Sequence, residues 1–378
     1  MGIGPHTIIL IPNTLYLKPL YHMPLSIAIV GLPNVGKSTI FNALTRQKVD
    51  AANYPFCTIE PNVGCVKVPD ERLDKLAQMS KSEKTIYSTV EFIDIAGLVR
   101  GAHKGEGLGN KFLTNIRECN AICHILRHFT NENIIHVENR ISAKDDLDII
   151  NLELIMADTE QVNKKLEARK DTDFVQLKPV LEKIKTGLKD NVLIKDLKLT
   201  EEEKQLIAQF NFLSTKPCLY IFNIAEKDVA KTKEQIIKES GLNLNPENVI
   251  LVCAKMEEEL TQLSEQEATE YLKNFNIKQT GLEQMIIAGY KLLDYISMLT
   301  TGPKETRAWT ITKGTKAPQA AGKIHTDFEQ GFARVEVIDW QDLLKCGGWT
   351  QAKEKGLIRM EGKEYEIKDG DVVIFHFN

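Results

Sequence analysis

Apolar positions along this chain follow two periods. Short apolar runs at Ile27–Val30, Thr89–Asp94, Ala121–Leu126, Cys218–Asn223 and Asn248–Cys253 predict strands. Their near-continuous apolar character suits parallel strands covered on both faces. The stretch Ser38–Leu44 reads as a helix between the first two, so an α/β domain is expected from Met23 to about Phe129 and again after residue 212. Residues from about 145 to 210 are charged and helical instead. Leu177, Leu181, Ile184 and Leu188 form one helical stripe, and Ile155, Val162 and Leu166 form a matching stripe upstream. With the polar break Arg169–Thr172 between them, the stripes predict an antiparallel helical hairpin, either a solvated surface pair or a protruding docking arm. Thr200-Glu-Glu-Glu203 is a capping-box start for a further helix.

The stretch Gly281–Leu299 reads as one amphipathic closing helix. After Gly302-Pro303, strands are expected at Arg307–Ile311, Ala333–Ile338 and Asp371–Phe377, the last entered through an Asp369-Gly370 turn. This predicts a separate α+β domain of roughly 80 residues. Between Gly302 and Arg334 it carries six basic residues (304, 307, 313, 316, 323 and 334) against three acids, with Trp309, His325 and Phe328 interspersed. That pattern fits an RNA-facing surface or an ordinary solvated face.

Composition narrows the picture. At 378 residues and net charge −4, the chain is long enough for two or three domains and is not a wholesale nucleic-acid binder. Neither a DNA nor a membrane partner is expected. Seven cysteines without a C-x-x-C pair fit a reduced, cytoplasmic protein. Residues 1–22 lack the features of a secretory signal and read as a disordered extension, with a short extra strand or helix as the alternative.

The chemistry is carried by Gly31-Leu-Pro-Asn-Val-Gly-Lys-Ser38, which satisfies the phosphate-binding pattern G-x-x-x-x-G-K-[ST] after a strand and before a helix. Its glycines let successive amides converge on phosphate oxygens. Lys37 brings charge to the β/γ-phosphates, and the Ser38 hydroxyl is a Mg²⁺ ligand. Asp94-Ile-Ala-Gly97 has D-x-x-G spacing, in which Asp94 backs the metal through water and the Gly97 amide senses the γ-phosphate. Thr58, in Pro55–Asn62, is the natural second hydroxyl for Mg²⁺.

With these motifs, the chain resembles the P-loop GTPases of the Obg type, and more closely the YchF-type family of Obg-like ATPases. Asn53–Asn62, Asp94–Leu98, Gly105–Asn110 and Ala317–Phe328 carry the resemblance together with the P-loop, and it runs from about Met23 to Asn378. It implies a P-loop NTPase G domain with a parallel-rich sheet at 23–140 and 212–299. It further implies an inserted helical coiled coil at 141–211 and a C-terminal β-grasp TGS domain at 300–378. A ribosomal partner follows, the large subunit or the whole ribosome, with rRNA or tRNA as further contacts.

Base selectivity departs from the guanine-specific N-K-x-D pattern, because the chain has Asn223-Ile-Ala-Glu226. Losing the Lys and lengthening the acid weakens guanine discrimination, so ATP is expected over GTP. The expected nucleotide-binding residues are Asn34, Val35, Gly36, Lys37, Ser38, Thr39, Asn223, Ile224, Glu226, Cys253 and Ala254. Leu98 stands where Ras-like enzymes orient water with Gln, so His136 is the candidate for that task, weighed against a packing histidine. The resemblance makes Asn34 a K⁺ ligand as well. The alternatives are a GTP-hydrolysing assembly factor and a nucleotide-gated ribosome- or RNA-binding module with slow turnover. Cys119, Cys123, His124 and His128 could suggest a metal cluster, but neighbours on a strand point to opposite faces. Cys57 is either redox-sensitive or a packing residue.

Overall fold

The computed structural model describes residues 26–46, 62–95, 108–130, 142–167 and 174–377. The expected extension at 1–22 lies outside them.

The apolar run at the start becomes β1 (Ser26–Val30), with all five residues buried. It leads through the P-loop into α1 (Lys37–Arg46), which turns Ile40, Phe41, Ala43 and Leu44 inward. Next come β2 (Val63–Lys67), α2 (Glu71–Ser80) and β3 (Lys84–Ile86). The Asp70 carboxylate caps α2 by accepting from the Arg72 N–H, and Lys81 ends the helix at φ 50°. β4 (Thr89–Asp94), α3 (Leu108–Glu118) and β5 (Ala121–His128) follow. Then come α4 (Ala143–Glu167), α5 (Phe174–Lys189) and α6 (Glu201–Ala208), the last with the capping box expected at Thr200 and Glu203. β6 (Cys218–Ile224), α7 (Lys233–Ser240), β7 (Val249–Val252), α8 (Ala254–Leu260), α9 (Glu265–Asn274) and α10 (Gly281–Leu292) complete this half.

The first sheet has the order β2-β4-β1-β5-β6-β7. β2 pairs antiparallel with β4, and the other pairings are parallel. Central β1 therefore sends the P-loop out at the carboxyl edge, between β4 and β5, where open α/β sheets bind ligands.

The helical stripes pack as the pattern predicts. Ile155 and Val162 of α4 meet Leu181, Ile184 and Leu188 of α5 in a core of their own. The first half of α4 does something else. Its Ala143, Leu147, Ile150 and Leu154 join the core of the first sheet. Farther along, Asp158 accepts from the backbone N–H groups of Leu213 and Ser214, both at 2.8 Å, and from the Ser214 hydroxyl at 2.6 Å. The helical pair is thus bolted to the sheet at its root.

The chain then forms β8 (Tyr295–Thr301), β9 (Glu305–Thr312), α11 (Ala317–Ile324), α12 (Thr326–Gln330), β10 (Phe332–Asp339), α13 (Trp340–Cys346), α14 (Trp349–Glu354), β11 (Arg359–Glu361) and β12 (Asp371–Phe377). This overturns the single helix expected over 281–299. The helix ends at Leu292, Asp294 takes a left-handed φ of 55°, and a strand starts at Tyr295. Met298 and Leu299 are buried in separate cores on opposite faces of that strand. A strand covered on both sides reads as a continuing apolar helix when periodicity is the guide.

The second sheet has the order β11-β10-β12-β8-β9-β3. Its edge strand β3 comes from far earlier in the chain, with Lys84, Thr85 and Ile86 opposite Glu305, Thr306 and Arg307. Around it, the Ser82 hydroxyl donates to Gly302 O at 2.7 Å and the Glu83 N–H donates to Pro303 O at 2.9 Å. Leu73 and Leu76 of α2 share a core with Leu299, Ala308, Ile338, Leu343 and Val372. No pattern in the short sequence Lys84-Thr-Ile86 marks it as part of a distant sheet.

Candidate functional site

The P-loop is shaped by two left-handed positions, Asn34 at φ 65° and Gly36 at φ 91°. At the start of α1, Lys37 is 9% exposed and its ammonium donates to the Asp94 carboxylate at the end of β4. The lysine expected at the phosphates and the carboxylate expected behind the metal thus neutralise each other. An incoming polyphosphate with its metal can take over both partners, so no buried charge need be stranded.

Beside the P-loop lies a cavity of about 840 Å³. The P-loop forms one wall and Asn223–Glu226 the other, with Cys253, Ala254 and Lys255 at the far end and Phe129 and Thr130 alongside. Asn223 holds these parts together. Its amide donates to Val35 O at 2.9 Å, and its carbonyl oxygen accepts from the Ala254 N–H at 3.1 Å.

Asn34, Gly36, Lys37, Ser38, Thr39, Asn223, Ile224, Glu226, Cys253 and Ala254 all line the cavity. Val35 is not brought to the cavity: its side chain is buried and its carbonyl accepts from the Asn223 amide. Thr58, Gly97, His136 and Cys57 lie outside the described residues.

On the wall formed by Asn223–Glu226, the Glu226 carboxylate accepts from Lys255 Nζ at 2.8 Å, which holds the lysine pKa above its ordinary value. Ile224, in the position of the missing Lys, is buried.

The residues fit Mg²⁺. Ser38 offers a hydroxyl at the cavity and Asp94 a hard carboxylate oxygen at the strand end. Among the described residues no group of three His, Cys, Asp or Glu side chains converges. A sparse oxygen set suits an ion that keeps waters and takes phosphate oxygens from its substrate. Asn34 is exposed on the cavity wall.

The Cys/His residues of β5 do not form a cluster. His124 is 1% exposed, stacks on Tyr220 at 5.5 Å, and has no hydrogen-bond partner for either ring nitrogen among the described residues. Burial pushes its pKa down to about 3 and drives the Cys123 thiol up. His128 instead meets Glu239 at 3.2 Å. Cys119, Cys123, Cys218, Cys253 and Cys346 are free thiols.

Sequence reasoning missed Arg127, Phe129 and the pairing of Lys255 with Glu226. An arginine within an apolar strand was the available signal for the first. The ion pair had none, since its partners are 29 residues apart.

Comparison with known proteins places these observations. Residues 26–166 match the family model described as a 50S ribosome-binding GTPase. Residues 295–378 match the C-terminal domain model of YchF GTPases, described as a protein of unknown function. The ribosome-binding ATPase YchF of Bacillus subtilis is 48% identical over 366 residues, covering 94% of this chain and 100% of the relative. Its namesake in Haemophilus influenzae is 48% identical over 362 residues, covering 93% and 98%. Among solved structures, the Schizosaccharomyces pombe YchF GTPase aligns with a TM-score of 0.81 at 36% identity, covering 95% of this chain and 99% of that one. A GTP-binding protein from Pyrococcus horikoshii aligns at 0.53 and 18% identity, covering 94% and 100%, and shows likeness of fold.

Proposed function

The chain belongs to the YchF family of ribosome-binding ATPases, and from that premise we propose that it hydrolyses ATP in preference to GTP in a cycle coupled to the ribosome. It is a P-loop nucleoside triphosphatase associated with the ribosome. The observation that carries the base preference is the Glu226–Lys255 pair at the end of the cavity, next to buried Ile224.

In this reading, water bonds to the γ-phosphorus as the bond to the β–γ bridging oxygen breaks, giving ADP and phosphate. Lys37 leaves Asp94 to neutralise charge on the β/γ-oxygens. Ser38, Thr58 and Asp94 would hold Mg²⁺, which would withdraw charge from the phosphates. Gly97 reports the γ-phosphate and His136 orients water. Asn34 holds K⁺. The helical pair and the C-terminal unit, a TGS-type domain, face the ribosome in the cytoplasm. An rRNA or tRNA contact is supported by the Arg307 guanidinium lying 4.1 Å from the Trp309 ring centroid, with Lys304, Lys313, Lys323 and Arg334 exposed nearby in the chain.

Competition between labelled ATP and GTP tests the preference, using the wild type and the double variant Glu226→Asp, Ile224→Lys. ATP should win in the wild type, and the double variant should move toward GTP. Equal or tighter GTP binding by the wild type overturns the reading. Loss of turnover with retained ATP binding in His136→Ala, and slower turnover in Na⁺ than in K⁺, test the two remaining roles.

A further inference from the structure

Two successive carbonyls of the P-loop are held by two side chains that stand side by side in the first sheet. β5 and β6 pair in parallel with Arg127 opposite Asn223. Asn223 donates to Val35 O, and Arg127 Nη1 donates to Asn34 O at 3.4 Å. The Arg127 Nε donates to Phe129 O at 3.2 Å, and the guanidinium lies 4.5 Å from the centroid of the Phe129 ring. Both Asn34 and Phe129 line the cavity.

Arg127 is 1% exposed, an expensive place for a permanent cation. Burial works against its charge, and Asp146, itself 1% exposed and in the first turn of α4, works in its favour. That turn is the root of the helical pair. An arginine fork reaches two carbonyls and an aromatic face at once, which a lysine cannot do.

We propose that Arg127 is a positioning residue of the nucleotide site: it fixes the left-handed Asn34 turn and the Phe129 wall, with the Asp146 carboxylate at the base of the helical pair favouring its charge. The inference rests on the reading of this cavity as the nucleotide site. Asn223 secures the P-loop from the base-recognition side and Arg127 secures it from the side of the helical pair.

The test uses the full chain carrying Arg127→Lys, Asp146→Asn, or both, with urea unfolding as a check on folding. Arg127→Lys should raise the KM and Kd for Mg·ATP about tenfold while kcat at saturation stays within about threefold. Asp146→Asn should raise KM in the same direction, and the double variant should match Arg127→Lys alone, since Asp146 acts through Arg127. A folded Arg127→Lys protein with wild-type KM, even one of lower stability, overturns the proposal. So do additive, independent effects of the two changes. If Arg127→Lys does not fold, the Asp146→Asn protein decides, and an unchanged KM there overturns the proposal. A wild type that binds neither ATP nor GTP would instead remove the nucleotide-site reading, and the inference with it.

Discussion

A Cβ placed on Gly36 would lie 2.1 Å from the Asn223 side-chain nitrogen. The glycine is therefore needed twice, for its φ of 91° and for the hydrogen bond that passes through the space a side chain would fill. Gly36→Ala must push Asn223 off Val35 O and loosen the link to Ala254. Isothermal titration with Mg·ATP should show binding weakened by more than a hundredfold. Asn223→Ala should lose about tenfold or more, because it leaves the Val35 carbonyl and the Ala254 N–H without their partner.

The Arg72 guanidinium bridges Asp70, at 2.8 Å, and Asp369, also at 2.8 Å. Below it, Leu76 of α2 is 0% exposed in the core shared with the second sheet. Leu76→Ala should cost about 2–5 kcal/mol in urea unfolding, followed by the fluorescence of Trp340 and Trp349, which pack against that core. The loss should appear in the C-terminal unit although the substitution lies more than 200 residues before it in the chain.

Glu257 gives the fold a pH dependence. It is 4% exposed, and burial raises its pKa from the ordinary 4.5 to about 7, against the opposing Leu282 N–H donor at 3.2 Å. The folded state thus holds this proton more tightly than the unfolded chain. The resulting stability is full below about pH 4.5 and is lost as pH rises to about 7, in total about 3 kcal/mol. Glu257→Gln keeps the acceptor and should stabilise the protein at pH 8 but not at pH 4, as measured by urea midpoints.

His124 acts with the opposite slope. Its folded pKa of about 3 lies below the ordinary 6.5, so the unfolded chain takes up the proton first. Its contribution is complete above about pH 6.5 and is lost as pH falls toward 3. His124→Leu should reduce acid-induced unfolding between those limits, as thermal melts across the range would show. No change in acid sensitivity would argue that water reaches the ring nitrogens.

The parts legible in the sequence were those governed by local rules. β1, β5 and β6 announce themselves because central parallel strands must be apolar throughout, and the P-loop because its backbone turn demands glycine at fixed spacing. The Thr200 capping box was legible for the same reason. What was missed depends on long-range contact. β3 has three residues and meets β9 across more than 200 positions. β8 hid in the apparent continuation of α10, and Arg127 acquires its meaning from Asn34, 93 positions away.

The place of β12 in the second sheet bears on how the chain folds. Last in chain order, it lies in the interior, between β10 and β8, while the early strand β3 waits at the far edge. Non-local pairings close slowly, because chain entropy is lost before contacts compensate for it. During synthesis the first sheet can therefore form while Leu73 and Leu76 stay uncovered, and the second sheet cannot close until its final strand has emerged. Deleting residues 371–377 would split that sheet down its middle and leave the apolar face of α2 open to other chains.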